Sequence, residues 1–195
     1  MGKSRTKRPA VFIDRDGTII QERFYLRKIK DVRILRGTEE ALQLLRGAGY
    51  LLILVTNQSG IGRGYFTETK LKQIHAHIQK KLTKKGLGFD AIYYCPHVPD
   101  DKCTCRKPKT GMVLQAAKRF SIDLSRSFTI GDHVNDFLLG QNMGGKGIFI
   151  LTGHGRHEYK KIQASSGKMK PDIVAKNILA AARCIVAAQD RQEEK

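Results

Sequence analysis

Residues 11–18 read VFIDRDGT. Val11, Phe12 and Ile13 run into Asp14, Asp16 follows two residues later, and Gly17 with Thr18 force a sharp exit. An apolar run that stops at acids and a glycine is how a buried parallel strand would deliver two carboxylates to its carboxyl end, where an open α/β sheet puts its chemistry. Two carboxylates this close repel one another and favour a shared proton or a bound cation. An Asp-Gly turn would read the same with no chemistry attached, so the rest of the chain has to decide.

Before this stretch, MGKSRTKRPA is basic and contains neither an apolar signal core nor a small-residue cleavage site. Residues 1–8 therefore read as a basic tail of a cytoplasmic protein. The chain has 195 residues, 41% of them hydrophobic, and its apolar runs are only strand length. That suits one domain over 1–195 and argues against a membrane span or a disordered chain. Its 36 Lys and Arg against 18 acids give a formal charge of +18. The cations are spread over the N-terminus, Arg23 to Arg36, Lys70 to Lys85 and Lys160 to Lys170. A spread of this kind favours a solvated basic surface over a nucleic-acid groove, while leaving the groove open.

After the opening strand, residues 19–37 make a loop with several cations and Tyr25, longer than a plain connection and suited to facing a substrate. Thr38 is placed to cap a helix with Ala41, Leu42, Leu44 and Leu45 on its inner face. Tyr50 to Val55 is a second buried strand, ending in Thr56, Asn57, Gln58, Ser59 and a glycine-rich loop without dinucleotide-binding spacing. A helix from Thr67 to Lys85 buries Leu71, Ile74, Ile78 and Leu82, with His75 and His77 expected on its surface. A strand over Phe89 to Tyr94 leads into CPHVPDDKCTCRKP, and Thr110 opens a helix through Phe120.

Phe128 to Ile130 is a fourth strand and ends in GDHVND ahead of a helix with Phe137, Leu138 and Leu139. Gly147 to Leu151 is a fifth. A looser stretch from Thr152 to Lys170, a short strand over Asp172 to Ala175 and a helix from Lys176 to about Gln189 complete the chain, with Cys184 read as a small core residue. This alternation predicts an α/β fold, a doubly wound and mostly parallel sheet with right-handed crossovers.

Cys95, His97, Cys103 and Cys105 offer three thiolates and one imidazole within eleven positions. In a polar loop that set matches a closed structural Zn²⁺ site, making residues 95–108 a zinc loop with no open position for catalysis. Arg106 and Lys107 follow directly, cations suited to a phosphate. Asp132 and Asp136 stand at the end of the fourth strand, where their oxygens could complete a Mg²⁺ site begun by Asp14. Either aspartate could instead cap the next helix, Asp132 more readily. Together the strand ends describe phosphoryl transfer: Asp14 as nucleophile, Asp16 as acid and then base, Thr56 and Lys107 on the phosphoryl oxygens.

DRDGT, TNQSGIGRG, RKP and GDHVND, in that order, resemble the four motifs of the haloacid dehalogenase (HAD) superfamily of phosphohydrolases. With YYCPH and CTCRKPKTGM added, the chain resembles the branch that holds heptose 1,7-bisphosphate and histidinol-phosphate phosphatases. The resemblance implies a HAD core without a large cap domain, an aspartyl-phosphate intermediate, Mg²⁺ held by Asp14, Asp16 and Asp132, and a structural Zn²⁺. It also implies that Glu22, Arg23, Phe24, Tyr25, Asn57, Gln58, Ser59, Arg106 and His133 meet the substrate, His133 standing where that branch usually has Lys. The implied reaction removes the 7-phosphate of D-glycero-D-manno-heptose 1,7-bisphosphate in the synthesis of nucleotide-activated heptose for lipopolysaccharide or surface glycan; that no long apolar stripe is left over favours a monomer. Histidinol phosphate and, more distantly, a polynucleotide 3′-phosphate are the alternative substrates.

Overall fold

The computed structural model of the chain describes residues 7–165, 167 and 169–193; residues 1–6 of the expected basic tail lie outside them. The opening apolar run forms β1 (Ala10–Ile13), buried at every position. It pairs in parallel with β2 (Leu51–Asn57) on one side and β4 (Phe128–Gly131) on the other. With β3 (Ala91–Cys95), β5 (Lys146–Ile150) and β6 (Ile173–Ala175) the sheet has the order β3-β2-β1-β4-β5-β6. Its pairings are all parallel, as the strand–helix alternation predicts.

Side chains of successive strand residues point to opposite faces, and the core divides accordingly. Val11 and Ile13 pack with α1 (Thr38–Gly47), α2 (Glu68–Thr83) and α6 (Ile178–Glu193) through Leu42, Ile74, Ile78, Ala181 and Ile185. Ala10 and Phe12 pack on the other face with α3 (Gly111–Phe120) and α4 (Val134–Asn142) through Met112, Val113 and Leu139. Phe137 and Phe149 extend that second layer to Ile162 of α5 (Gly155–Ala164). Strand order reverses at β1, since β2 lies on one side and β4 on the other. The carboxyl ends of β1 and β4 therefore flank the crevice where such sheets bind ligands.

Five local expectations are corrected. The stretch read as loose after Thr152 holds α5, whose few apolar positions, Tyr159 and Ile162, make only a faint helical stripe. Gly37, in the left-handed region at φ 84°, occupies the N-cap of α1 in place of Thr38, whose hydroxyl donates to the Ile19 carbonyl at 3.3 Å. Leu44 is exposed, on the far side of α1 from Leu42 and Leu45. Cys184 is also exposed, because the inward stripe of α6 runs through Ala181, Ala182 and Ile185. His75 is buried, with a partner described below, while His77 is half-buried. Among the described residues, no helix is long and apolar enough to cross a membrane.

Candidate active site

Asp14 leaves β1 with its backbone N–H still bonded to the Ile130 carbonyl of β4 at 2.9 Å, which fixes it at the reversal point. Its Oδ1 lies 2.6 Å from Nζ of Lys107, and the same Nζ lies 2.6 Å from Oδ1 of Asp136. Lys107 also donates to the Val55 carbonyl at 2.9 Å, so this nearly inaccessible ammonium has three oxygen partners. The two carboxylates hold its pKa above the ordinary lysine range despite burial, which acts the other way. Burial raises Asp14 to about 7 and Asp132 to about 9, Lys107 opposing the rise at Asp14 and the neighbouring carboxylates adding to both.

Ligand oxygens of Asp14, Asp132 and Asp136 lie within 4.8 Å of one another. Buried carboxylates this close are at odds with one another unless protonated or bridged by a cation, so the trio fits a hard divalent ion. The chain around Asp132 is shaped to leave its carboxylate room. A Cβ on Gly17 (φ 75°) would fall 2.2 Å from Oδ2, and one on Gly153 (φ 50°) would fall 2.1 Å from it. Asp132 does not cap α4, which removes the alternative reading of this residue. His133 is the N-cap, its Nδ1 accepting from the Asn135 N–H at 3.2 Å, and Asp136 closes the box by accepting from the His133 N–H at 3.0 Å. Oδ2 of Asp132 instead accepts the His154 N–H at 2.7 Å.

Asp16, expected beside Asp14 on the cation, turns its carboxylate to Arg15 and Gln58 and stays outside the carboxylate trio. Its neighbour Arg15 carries charge and is fully buried, and the carboxylate is the anion within its reach. Thr56, at the end of β2, is buried with its Oγ1 accepting from Gln58, which leaves the hydroxyl proton to donate.

Beyond β3 the loop of Cys95, His97, Cys103 and Cys105 draws its donor atoms together. Cys95 Sγ is 3.8 Å from Cys103 Sγ and 3.5 Å from His97 Nδ1, which is 3.2 Å from Cys105 Sγ. A tetrahedron with metal–sulfur bonds of about 2.3 Å has edges of about 3.8 Å, so this set is spaced for Zn²⁺. The closed loop holds both following cations in place. Arg106 Nη1 donates to the His97 carbonyl at 3.1 Å, and Asn57 takes both backbone groups of Lys107, at 3.0 and 3.3 Å.

These strand ends surround a pocket of about 160 Å³ lined by Asp14, Asp16, Glu22, Thr56, Asn57, Arg106, Lys107, Asp132, His133, Asn135, Asp136 and His154. A HAD-hydrolase-like family model matches residues 104–181. The chain is 44% identical to a D-glycero-beta-D-manno-heptose-1,7-bisphosphate 7-phosphatase of Pasteurella multocida, over 80% of this chain and 89% of that protein. It is 40% identical to the enzyme of the same name from Haemophilus ducreyi, over 87% and 94%. The chain belongs to this HAD-like heptose-bisphosphate phosphatase family. Among solved structures, the D,D-heptose 1,7-bisphosphate phosphatase of B. bronchiseptica, complexed with magnesium and phosphate, superposes with a TM-score of 0.82 at 31% identity. That match covers 92% of this chain and 99% of that one.

In this member of the heptose-bisphosphate phosphatase family, nine of the side chains expected at the site line the pocket: Asp14, Asp16, Glu22, Thr56, Asn57, Arg106, Lys107, Asp132 and His133. Arg23, Phe24, Tyr25, Gln58 and Ser59 are not among the lining residues. Phe24 is 87% exposed, and Tyr25, at φ 55°, sets its ring edge-on between Phe24 and Tyr65 at 4.7 and 4.6 Å. Gln58 is buried and faces Arg15, so its amide is engaged within the protein.

Asn135 and His154 belong to the pocket without having been expected there. Asn135 was legible as part of GDHVND, but His154 comes from the stretch taken as loose, and nothing local marks it. His154 Nε2 stands 3.8 Å from Glu22 Oε1 across the mouth. Burial, with the charges of Asp16 and Asp14 adding, pushes Glu22 to about 7.

Proposed function

We propose that the chain removes the 7-phosphate of D-glycero-D-manno-heptose 1,7-bisphosphate through an aspartyl-phosphate at Asp14, the β anomer being the one named in its bacterial relatives. The observation that carries the reading is the meeting of Asp14, Lys107 and Asp132 in one small pocket at the sheet's reversal point. The pocket volume, about 160 Å³, is below the range of about 300–1,000 Å³ typical for a whole ligand. It suits the phosphoryl end alone, with the sugar against Glu22, Arg106, His133 and His154 at the mouth.

In the first half-reaction an Asp14 oxygen attacks phosphorus, the bond to the sugar oxygen breaks, and that oxygen takes a proton from Asp16. In the second, Asp16 accepts a proton from water as the water oxygen attacks phosphorus, and the bond to Asp14 breaks, releasing phosphate. Lys107 and the Thr56 hydroxyl face the phosphoryl oxygens, whose charge grows during transfer, and Asn57 holds Lys107 there through its main chain. Asp14 and Asp132 would hold Mg²⁺, with Asp136 beside them but tied to Lys107 and the N-cap of α4. When bound, the ion offsets the repulsion between an anionic carboxylate and an anionic phosphate. Cys95, His97, Cys103 and Cys105 would hold a structural Zn²⁺ that keeps Arg106 and Lys107 in register.

The same reading has the enzyme working as a cytoplasmic monomer: exposed Leu44, Leu114 and Val174 lie on three separate elements, and the other exposed large apolar side chains, Phe24 and Tyr65, group on Tyr25. Light scattering after size exclusion tests that part. The function is tested by phosphate release with Mg²⁺ from heptose 1,7-bisphosphate anomers, histidinol phosphate and 3′-phosphorylated DNA, with Asp14→Asn as control. The heptose substrate should be turned over fastest and the control should be inert. Turnover by Asp14→Asn at the wild-type rate would remove the mechanism, and preference for either other substrate would remove the assignment.

A further inference from the structure

Arg15 sits between the two aspartates of β1's exit and is 1% exposed, the largest of the fully buried side chains. Such a cation is tolerated only where its donors are taken. Nε and Nη2 donate to Asp16 at 2.7 to 3.0 Å, Nη2 also to Gln58 Oε1 at 3.0 Å, and Nη1 to His75 Nε2 at 3.1 Å. Gln58 returns from the other side, its Nε2 donating to Asp16 Oδ2 and to Thr56 Oγ1, each at 2.9 Å. Arginine can only donate, and Oδ2 of Asp16 with three donors on it only accepts, so the orientation of the Gln58 amide is fixed by chemistry. The same rule leaves the His75 proton on Nδ1 and the lone pair of Nε2 toward Arg15. Burial and the Arg15 charge keep His75 neutral, pushing its pKa down to about 3.

We infer that His75, which lies outside the pocket, is a positioning residue for the acid/base step: through Arg15 and Gln58 it holds the Asp16 carboxylate in one orientation and links it to Thr56. Asp16 is about one-fifth exposed and lines the pocket, so an unrestrained carboxylate could rotate. Oδ2 already receives Arg15 Nε, Arg15 Nη2 and Gln58 Nε2, whereas Oδ1 receives only Arg15 Nη2. The network therefore leaves Oδ1, of a residue that lines the pocket, as the Asp16 oxygen with lone-pair capacity to spare. Among the described residues His75 supplies the one acceptor for Nη1; without it the guanidinium must tilt to find another, and the Asp16 carboxylate tilts with it.

The inference rests on the acid/base role proposed for Asp16, and its test uses the Mg²⁺-loaded full chain with two substrates. Heptose 1,7-bisphosphate has an alkoxide leaving group that needs a proton, whereas 4-nitrophenyl phosphate has a leaving group that does not. His75→Leu should lower kcat on the heptose substrate by about a hundredfold with KM little changed, the usual effect of misplacing a catalytic group by about 1 Å. On 4-nitrophenyl phosphate it should release one equivalent of nitrophenolate in a burst, because transfer to Asp14 proceeds while hydrolysis of the phosphoenzyme lags. His75→Gln, whose amide oxygen can accept from Arg15, should return the rate to near wild type. Should His75→Leu fail to accumulate folded, Gln58→Met carries the same burst expectation.

Wild-type kinetics on both substrates, equal losses on both with no burst, or a His75→Gln as slow as His75→Leu would overturn the positioning role. Asp16→Asn separates this from the underlying reading: if Asp16→Asn itself turns over normally, the acid/base assignment fails; if it is inert while His75→Leu is normal, only the role of His75 fails.

Discussion

Lys107 Nζ lies 2.6 Å from Oδ1 of Asp14, although the two residues are 93 positions apart and belong to different elements. One ends the loop after β3 and the other ends β1, so the ammonium reaches the attacking carboxylate only when sheet and loop are both in place. Each is buried, and neither can be removed without leaving the other charge short of a partner.

Lys107→Met should therefore abolish phosphate release and destabilise the chain by about 3–5 kcal/mol, the scale for breaking a buried ion pair from one side. Urea unfolding of the metal-free protein measures the second effect. A variant as stable as wild type would show that the pair contributes little to folding.

Stability without metal should fall as pH rises. In the folded state Asp14 and Asp132 are lifted from 3.8 to about 7 and about 9, so between those values the folded chain binds more protons than the unfolded one. Their contribution is complete below pH 3.8 and is lost as pH rises through the two folded values. Melting temperature in EDTA should drop from about pH 6 to pH 9. Added Mg²⁺ should recover more at the upper end, and Asp132→Asn should flatten the slope. A flat profile in the wild type, with a Mg²⁺ effect independent of pH, would contradict the carboxylate trio.

Zinc should be present at one ion per chain, and Cys184 should be the thiol that reacts in the loaded protein. It is the exposed cysteine, while Cys95 is buried and Cys103 and Cys105 are partly so. Titration with a thiol reagent before and after unfolding in chelator should count one and then four. Cys105→Ala should free Cys95 and Cys103 to react and lower turnover by about tenfold or more through a loosened Arg106. Four reactive thiols in the untreated protein would rule out a closed site.

Gly153→Ala should weaken Mg²⁺ dependence by about tenfold or more, because the new Cβ would displace Asp132. Gly144→Ala is the control. Gly144 has a positive φ of 81° with nothing within 4 Å of a Cβ, so it carries the backbone strain without touching the carboxylate. Equal shifts in the Mg²⁺ titrations of the two variants would mean that strain, not displacement, is what was measured.

The sheet and its loaded strand ends were legible because parallel strands write themselves as continuous apolar runs and their chemistry sits at the first polar residue after each run. Asp14, Thr56 and Asp132 follow that rule, while Lys107 is delivered by the loop that follows β3. The clustering of Cys95, His97, Cys103 and Cys105 was legible because three cysteines in a polar loop have no packing reason to be there. What stayed hidden depends on which side chain turns inward to a partner distant in sequence. His75 follows Ile74 by one position and precedes Ile78 by three, which does place it beside the buried stripe of α2, but its pairing with Arg15 needed the packed structure. Gln58 reads as a polar residue in a substrate loop, yet the buried charge of Arg15 draws it the other way. α5 and His154 were missed since Tyr159 and Ile162 alone give too little periodicity to separate a helix from a loop.

Asn57 binds both the N–H and the C=O of Lys107, so what it recognises is main chain and not the sequence of the loop that delivers it. The segment from 96 to 105 is likewise held through main chain, its Pro96 and Thr104 carbonyls accepting from the Gly62 and Gly111 N–H groups at 3.0 and 3.1 Å. Another metal-closed loop of matching span could be spliced between β3 and Lys107, and a chimera of this kind should keep its rate on 4-nitrophenyl phosphate while its choice among sugar phosphates changes. The division separates the part of the chain that performs the reaction from the part free to diversify.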